Sequence, residues 1–310
     1  MTSDRIVCNT KTPLVSVVVI TYNSSATVIE TLESIKEQTY QNVELIVTDD
    51  CSKDDTVFVV QKWLESNQAC FVNAELVTTT VNTGVSANLN RGIKKSSGEW
   101  IKSIAGDDRL KPYAISTYVN KVLAIGCRIC LAKVEIFGDM EINYNKRYNY
   151  LNNMYKVIAC YNREIQYKIS LIRHILPGPA LFYSKHLWEE IGGFDEKYTY
   201  SEEMAFQLKV FSICPVYLLD DILVEWRQRP DSLSNNRCSP TQWQDLDFYS
   251  NERRPRIIKE KMWLHLLDSD INYFIGKKRL KGYNYWSFLK YFSPLKYYNR
   301  IIKFFDKNHL

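Results

Sequence analysis

The stretch "LVSVVVITY", residues 14–22, constrains the fold more than any other part of the chain. It is an unbroken β-branched run with no polar alternation, the pattern of a strand buried on both faces of a sheet. Next, "NSSATVIETLESIKEQTY" offers Ser24 or Ser25 as a helix cap and puts Val28, Leu32 and Ile35 on one face. "VELIVT" (43–48) is a second buried strand ending at Asp49-Asp50, and Asp54 or Asp55 can cap a helix striped by Val57, Val60 and Leu64. "AELVTT" (74–79) is a third strand, "VSANLNRGIKKSS" (85–97) a helix, and "EWIKSIA" (99–105) a fourth strand running into Asp107-Asp108. Strands alternating with helices predict an α/β class with a mainly parallel central sheet. The 310 residues suffice for one large domain, or one large and one small.

Ligands of such sheets bind outside the carboxyl ends of the strands. The polar clusters "TYN", "DDCS" and "GDD" all fall at such ends. Adjacent acids repel unless a cation sits between them, so Asp107-Asp108 is either a pair of solvated loop acids or a metal-holding pair. Mg²⁺ and Mn²⁺ prefer carboxylate and phosphate oxygens to thiolate or imidazole. The eight cysteines are scattered, and the N-terminus "MTSDRIVCNT" has no signal-peptide pattern, which is read as reduced cytosolic thiols. Cys127-x-x-Cys130 lacks the second ligand pair that a zinc site needs. His174, His186 and His265 have no metal-like partners nearby in sequence and are read as structural. Asp220-Asp221, between "VYLL" and "ILVEW", reads as a turn between strands. No apolar run approaches the roughly 18 residues of a membrane span.

"PLVSVVVITYN", "VELIVTDDCSKDDT", "NTGVSANLNRGI", "GEWIKSIAGDD" and "GGFDEKYTYSEEMAF" resemble the family 2 glycosyltransferases in order and spacing, over residues 13 to 235. The resemblance implies a GT-A (nucleotide-diphospho-sugar transferase) fold and inverting sugar transfer from a nucleotide donor. It divides the chain into a catalytic domain at 1–240 and a helical C-terminal extension at 241–310. The donor half is about 13–110 and the acceptor half about 111–240.

By the same resemblance Asp108 is the metal ligand, for Mn²⁺ or Mg²⁺, and Asp107 a ribose or sugar contact. The commoner family form is Asp-x-Asp-Asp, with Ala105 here in the first place. Asp50 would accept the N3–H of a uracil, which points to a UDP-sugar, and Asp49 would bind ribose or cap a turn. Cys51 stands where the family often has Gly. Thr21, Tyr22 and Asn23 end the first strand. Tyr22 packs on the base or in the core, and Asn23 fixes the loop. Asn82 and Gly84 open the donor-side helix, in which Leu89 replaces a familiar Arg and Arg91 is expected on another face. Glu203 takes the place of the catalytic base, usually Asp, while Glu202 bonds backbone or acceptor, or both acids simply favour a first helical turn. "LPGPALFY" sets Gly178 beside the donor sugar, and "GGFDEKY" supplies a tight turn. "WRQRPDSLSNN" resembles a segment that closes over the diphosphate, with Arg227, Arg229 in place of His, Ser232 and Ser234. Arg can pair with phosphate but cannot ligate a metal.

The net charge of +5 is uneven: residues 251–310 carry +9 and the first 250 carry −4. Residues 271–310 hold 12 aromatics, 9 Lys/Arg and one acid, Asp306. That composition suits an interfacial helix on an anionic leaflet. A helical lid or an oligomer contact is the other reading, and the acidic body disfavours a nucleic-acid surface. The expected protein is a metal-dependent hexosyl- or N-acetylhexosaminyltransferase of bacterial surface-polysaccharide synthesis. It would act on a glycan or lipid-linked acceptor, in the cytoplasm or peripherally at the inner membrane face. The alternative is a non-catalytic nucleotide- or membrane-binding relative. A dinucleotide oxidoreductase is excluded because "TYNSSATV" contains no glycine after the first strand.

Overall fold

The computed structural model describes residues 12–138, 144–199, 202–229, 239–281 and 289. Its first half runs β1 (Val15–Thr21), α1 (Val28–Lys36), β2 (Val43–Asp49), α2 (Thr56–Asn67), β3 (Asn73–Thr78), α3 (Val85–Lys95) and β4 (Trp100–Ala105). The second half runs β5 (Arg109–Leu110), α4 (Ala114–Ile125), β6 (Ile129–Gly138), α5 (Tyr144–Cys160), α6 (Arg163–Ser170), β7 (Leu181–Ser184), α7 (Lys185–Glu190), α8 (Glu202–Ile213) and β8 (Tyr217–Gln228). All eight strands form one sheet in the order β3-β2-β1-β4-β7-β6-β8-β5. β3, β2, β1 and β4 run parallel, β7 pairs antiparallel with both β4 and β6, and β6 returns to parallel pairing with β8.

The β-branched run explains the centre of this sheet. Val15, Val17, Val18 and Val19 are fully buried, so side chains on both faces of β1 lie in the core. Each contributes about 1.5–3 kcal/mol on leaving water. Parallel register sets Thr21 beside Asp49 and Ile20 beside Ala105, which aligns the carboxyl ends of three strands at one edge.

Local details depart from the sequence expectations in identifiable ways. α1 starts at Val28 and its N-cap is Thr27. Ser24 and Ser25 do not cap it; the Ser24 carbonyl instead accepts from the Thr27 and Val28 amides in the preceding turn. At α2 the N-cap position is Asp55, but the carboxylate that caps is Asp54, whose Oδ1 accepts from Thr56 N at 3.1 Å. Trp63 joins Val60 and Leu64 in the buried stripe, and Val57 is only half-buried. Asp220 and Asp221 lie within β8, not in a turn. Leu131 pairs with Leu218 and Lys133 with Ile222, so β8 absorbs the extra residues as an irregularity in one strand. Both acids are surface ion-pair partners, of Lys133 at 3.1 Å and Lys121 at 4.0 Å.

Beyond β8, α9 (Ser239–Phe248) leads through a π-helical turn into α10 (Arg254–Lys259) and then α11 (Trp263–Leu280). These helices are held to the body by a second core, in which Phe248, Tyr249 and Ile257 meet Leu171, Tyr198, Ala205 and Leu208. The extension up to Lys281 therefore covers the back of α8. Ser232, Ser234 and the aromatic-basic stretch from 282 onward, apart from residue 289, lie outside the described residues. Among the described residues no helix is long and apolar enough to cross a membrane.

Candidate active site

The carboxyl edge of β1, β2 and β4 gathers the acids that the sequence singles out. Thr21 donates to Asp49 Oδ2 at 2.8 Å, and Asp49 Oδ1 accepts from Ser52 N at 2.8 Å. Of the two roles expected for Asp49, the bonds it makes are those of turn capping. Asn23, at φ +52°, accepts from Lys53 N through its side chain at 2.8 Å and so ties the two loops together. Tyr22 is 48% exposed and is not a core aromatic.

Asp50 is buried and accepts four hydrogen bonds from its own chain. Oδ2 takes Thr83 N at 2.9 Å and Gly84 N at 2.7 Å. Oδ1 takes Thr83 Oγ1 at 2.6 Å and Arg91 Nη2 at 3.3 Å. Asn82 is exposed, and its Oδ1 also reaches Gly84 N, at 3.2 Å. Gly84 takes φ +86°, where a side chain would be strained, and an added Cβ would press on Thr199. Arg91 does not face away, as the helical spacing suggested. Its long side chain curls back across Asn88 and Thr83 to reach Asp50, while Leu89 is buried.

Asp108 is 1% exposed. Its Oδ1 accepts from the backbone N–H of Arg227 at 2.8 Å. Burial first, and then the neighbouring Asp107, raise its pKa well above the usual carboxylate range against the opposing pull of that N–H, Lys102 and Arg227. Asp107 Oδ2 lies 3.4 Å from Arg229 Nη2. The Arg227 side chain is committed elsewhere: its Nη2 pairs with Glu30 at 2.6 Å and its Nε bonds the Asp107 carbonyl at 2.8 Å. Arg229 is thus the guanidinium directed at the acid pair, and Arg227 braces it. Among the described residues no three His, Cys, Asp or Glu side chains come together as a ready-made metal cluster. The donor set of Asp108 with Asp107 fits a hard divalent cation that takes its other oxygens from phosphate and water.

On the acceptor side, Glu203 lies in the first turn of α8, and its Oε1 accepts from Gly178 N at 2.7 Å. Gly178 is required by proximity, since a Cβ there would collide with this carboxylate. Enclosure by the protein pushes the carboxyl of Glu203 up to about 7, and burial with the Glu203 charge pushes Glu202 up to about 8.

Two participants escaped the sequence reading. Lys102 sits in β4, fully buried, and donates to the carbonyls of Pro179 at 2.5 Å, Leu181 at 3.3 Å and Ser103 at 3.1 Å. It pins the 178–181 turn beneath Glu203 and also faces the charge of Asp108, so one side chain couples the two halves. Its signal in the sequence was a lysine inside the otherwise apolar "WIKSIA". The other is His174, whose Nε2 lies 3.1 Å from Glu203 Oε2. Among the described residues His186 and His265 show no such contact, His186 meeting Arg128 at the surface.

The profile of glycosyl transferase family 2 matches residues 16–192, more than half of the chain, and the chain belongs to that family. A glycosyltransferase of Rickettsia prowazekii is 24% identical over 87% of this chain and 82% of its own length. The GalNAc(5)-diNAcBac-PP-undecaprenol beta-1,3-glucosyltransferase of Campylobacter jejuni is 33% identical over 35% of this chain and 34% of its own. Among solved structures, Staphylococcus aureus TarS 1–349 in complex with UDP-GlcNAc superposes with a TM-score of 0.60 at 18% identity, covering 87% of this chain and 83% of that one. This chain spans 43% of the longer TarS chain. The mannosyltransferase PcManGT of Pyrobaculum calidifontis, with GDP-Man and Mn²⁺, gives a TM-score of 0.56 at 18% identity over 81% of this chain and 65% of its own. The fold is GT-A.

Proposed function

We propose that the protein is an inverting glycosyltransferase that moves a sugar from a UDP-sugar to a glycan acceptor, carried on a lipid, in bacterial surface-polysaccharide assembly. The observation that carries this reading is the frame built on Lys102. It links a buried acid, Asp108, to the turn whose backbone N–H holds the Glu203 carboxylate. Residues 13–110 form the donor half in this reading and 111–240 the acceptor half. TarS with bound UDP-GlcNAc and the undecaprenol-linked substrate in the name of the Campylobacter relative support the donor and acceptor classes.

Asp50 faces the base, where a uracil N3–H competes with Arg91, the longest of its four donors at 3.3 Å. Tyr22, exposed at the strand end, is free to cover the ring. Thr21, Asn23, Asp49, Asn82 and Gly84 shape the loops around the nucleoside. Asp107 faces ribose or sugar, and Arg229 directs its guanidinium to the diphosphate. A divalent cation held by Asp108, Mn²⁺ or Mg²⁺, would neutralise the leaving diphosphate as a Lewis acid. Glu203 removes the acceptor hydroxyl proton as that oxygen attacks the anomeric carbon opposite the departing UDP. The proton ends on the Glu203 carboxyl and passes to solvent. Glu202 holds the acceptor or the backbone beside it.

Incubating the protein with a panel of UDP-sugars tests this reading. The expected results are a rise in Tm with UDP that needs Mn²⁺, and transfer that stops in Glu203→Gln while the UDP shift persists. No shift with any nucleotide would favour a non-catalytic relative, and normal turnover in Glu203→Gln would remove that residue as the base.

A further inference from the structure

His174 stands where three elements meet. Its ring lies between α5, the 171–178 segment and the first turn of α8. Nε2 is 2.6 Å from the carbonyl oxygen of Leu176. A carbonyl cannot donate, so Nε2 must carry the hydrogen. Nε2 itself lies 3.1 Å from Glu203 Oε2. Nδ1 then holds the lone pair and accepts from the Tyr150 hydroxyl at 3.3 Å. Burial pushes the imidazole pKa down to about 4, so the ring meets Glu203 as a neutral donor. The titratable groups around it are Tyr150 on α5, Glu203 with Glu202 beside it on α8, and Arg173 next to it in the chain.

The ring is not what holds its own segment. Gln207, one helical turn beyond Glu203, accepts from Ile175 N at 2.8 Å and donates to the carbonyls of Ser170 at 3.1 Å and Arg173 at 3.0 Å. The backbone is thereby anchored to α8 without the imidazole, which leaves the side chain for another task. Gly178 N already occupies Oε1 of Glu203, and His174 occupies Oε2.

We propose that His174 is a positioning residue for Glu203. Its Nε2–H, oriented by Leu176 O and Tyr150, clamps the second carboxylate oxygen and favours the ionised form. The proposal rests on the reading of Glu203 as the base for its catalytic meaning, but the contact itself is testable without substrate. The Gly178 N–H opposes the desolvation that raises the Glu203 pKa, and a His174 N–H on the other oxygen adds to that opposition, so losing it moves the titration upward.

The test is carboxyl ¹³C NMR of full-length protein labelled at glutamate, with the Glu203 signal assigned by its loss in Glu203→Gln. The expected result is that His174→Phe raises the Glu203 midpoint by about one pH unit, a tenfold change in the ionisation constant. His174→Gln, which keeps an N–H donor, should restore the wild-type midpoint. A midpoint unchanged in His174→Phe overturns the proposal. Imidazole ¹⁵N spectra of the wild-type protein supply a check that needs no variant fold. A neutral Nε2–H ring at pH 7 supports the assignment, and an Nδ1–H tautomer or an imidazolium overturns it. If Glu203→Gln still transfers sugar while the midpoint moves as expected, the base assignment falls and the contact stands. If Glu203→Gln is inactive and the midpoint does not move, this inference alone falls.

Discussion

Replacing Gly178 by alanine separates catalytic geometry from stability at one atom. The residue is free of positive-φ strain, so alanine fits its backbone. The added methyl would lie 3.3 Å from Glu203 Cδ and nearer still to Oε1, inside the distance that real Cβ atoms keep. The end of a flexible side chain gives way, and the carboxylate must retreat by roughly 1 Å to recover ordinary contact. It also loses its bond to Gly178 N, now 2.7 Å. A displacement of that size at a reacting group costs about 10²-fold in rate, or about 2.7 kcal/mol in the activation barrier. Stability should change little, since alanine narrows the unfolded ensemble by about 0.4–1 kcal/mol while the lost hydrogen bond costs about 0.5–1.5 kcal/mol. The assay is steady-state transfer with the UDP-sugar found by screening, with Tm measured in parallel. The expected outcome is a kcat near 1% of wild type, an unchanged donor KM and an unchanged Tm. A variant with full kcat would refute the claim that Glu203 works from this position. A fall in Tm matching the loss of rate would refute the separation of the two effects.

Further outcomes follow from the same geometry. Glu203 must be ionised to act, and its carboxyl is raised to about 7, so kcat/KM should fall as pH drops through that value and level off above it; a limb near 4.5, the ordinary glutamate value, would contradict the enclosure. Asp108→Ala should abolish the Mn²⁺-dependent part of the UDP-induced Tm shift, and a retained metal dependence would take Asp108 out of the donor site. Truncation after Lys281 spares α11, whose Tyr273 packs on the second core, and should release the protein from vesicles of anionic lipid. Binding that survives the truncation would show that the aromatic-basic tail is not the membrane contact, and a full-length chain that never binds would remove the contact altogether.

The first half of the molecule was legible because its information is local. Four apolar runs with helices between them define parallel strands, and the acids at 49–50 and 107–108 end at one edge once those strands lie side by side. Caps were less legible: Asp54 and Asp55 are chemically alike, and only the turn geometry gives the bond to Asp54. The Asp220-Asp221 pair misled because two acids between apolar runs read as a turn, whereas an irregularity kept them within β8 and exposed to Lys133 and Lys121.

The first four strands, the polarity of their carboxyl edge and the set of candidate acids were determined by the sequence, because β-branching and periodicity act over a few residues. Which donor satisfies which acid was decided by the tertiary structure alone. Arg227 reaches Asp108 across 119 positions in the chain, and Lys102 reaches Pro179 across 77. Arg91 turns back to Asp50, and His174 meets Glu203. A carboxylate's charge state depends on burial and on those distant partners, and neither is written in the spacing of nearby residues.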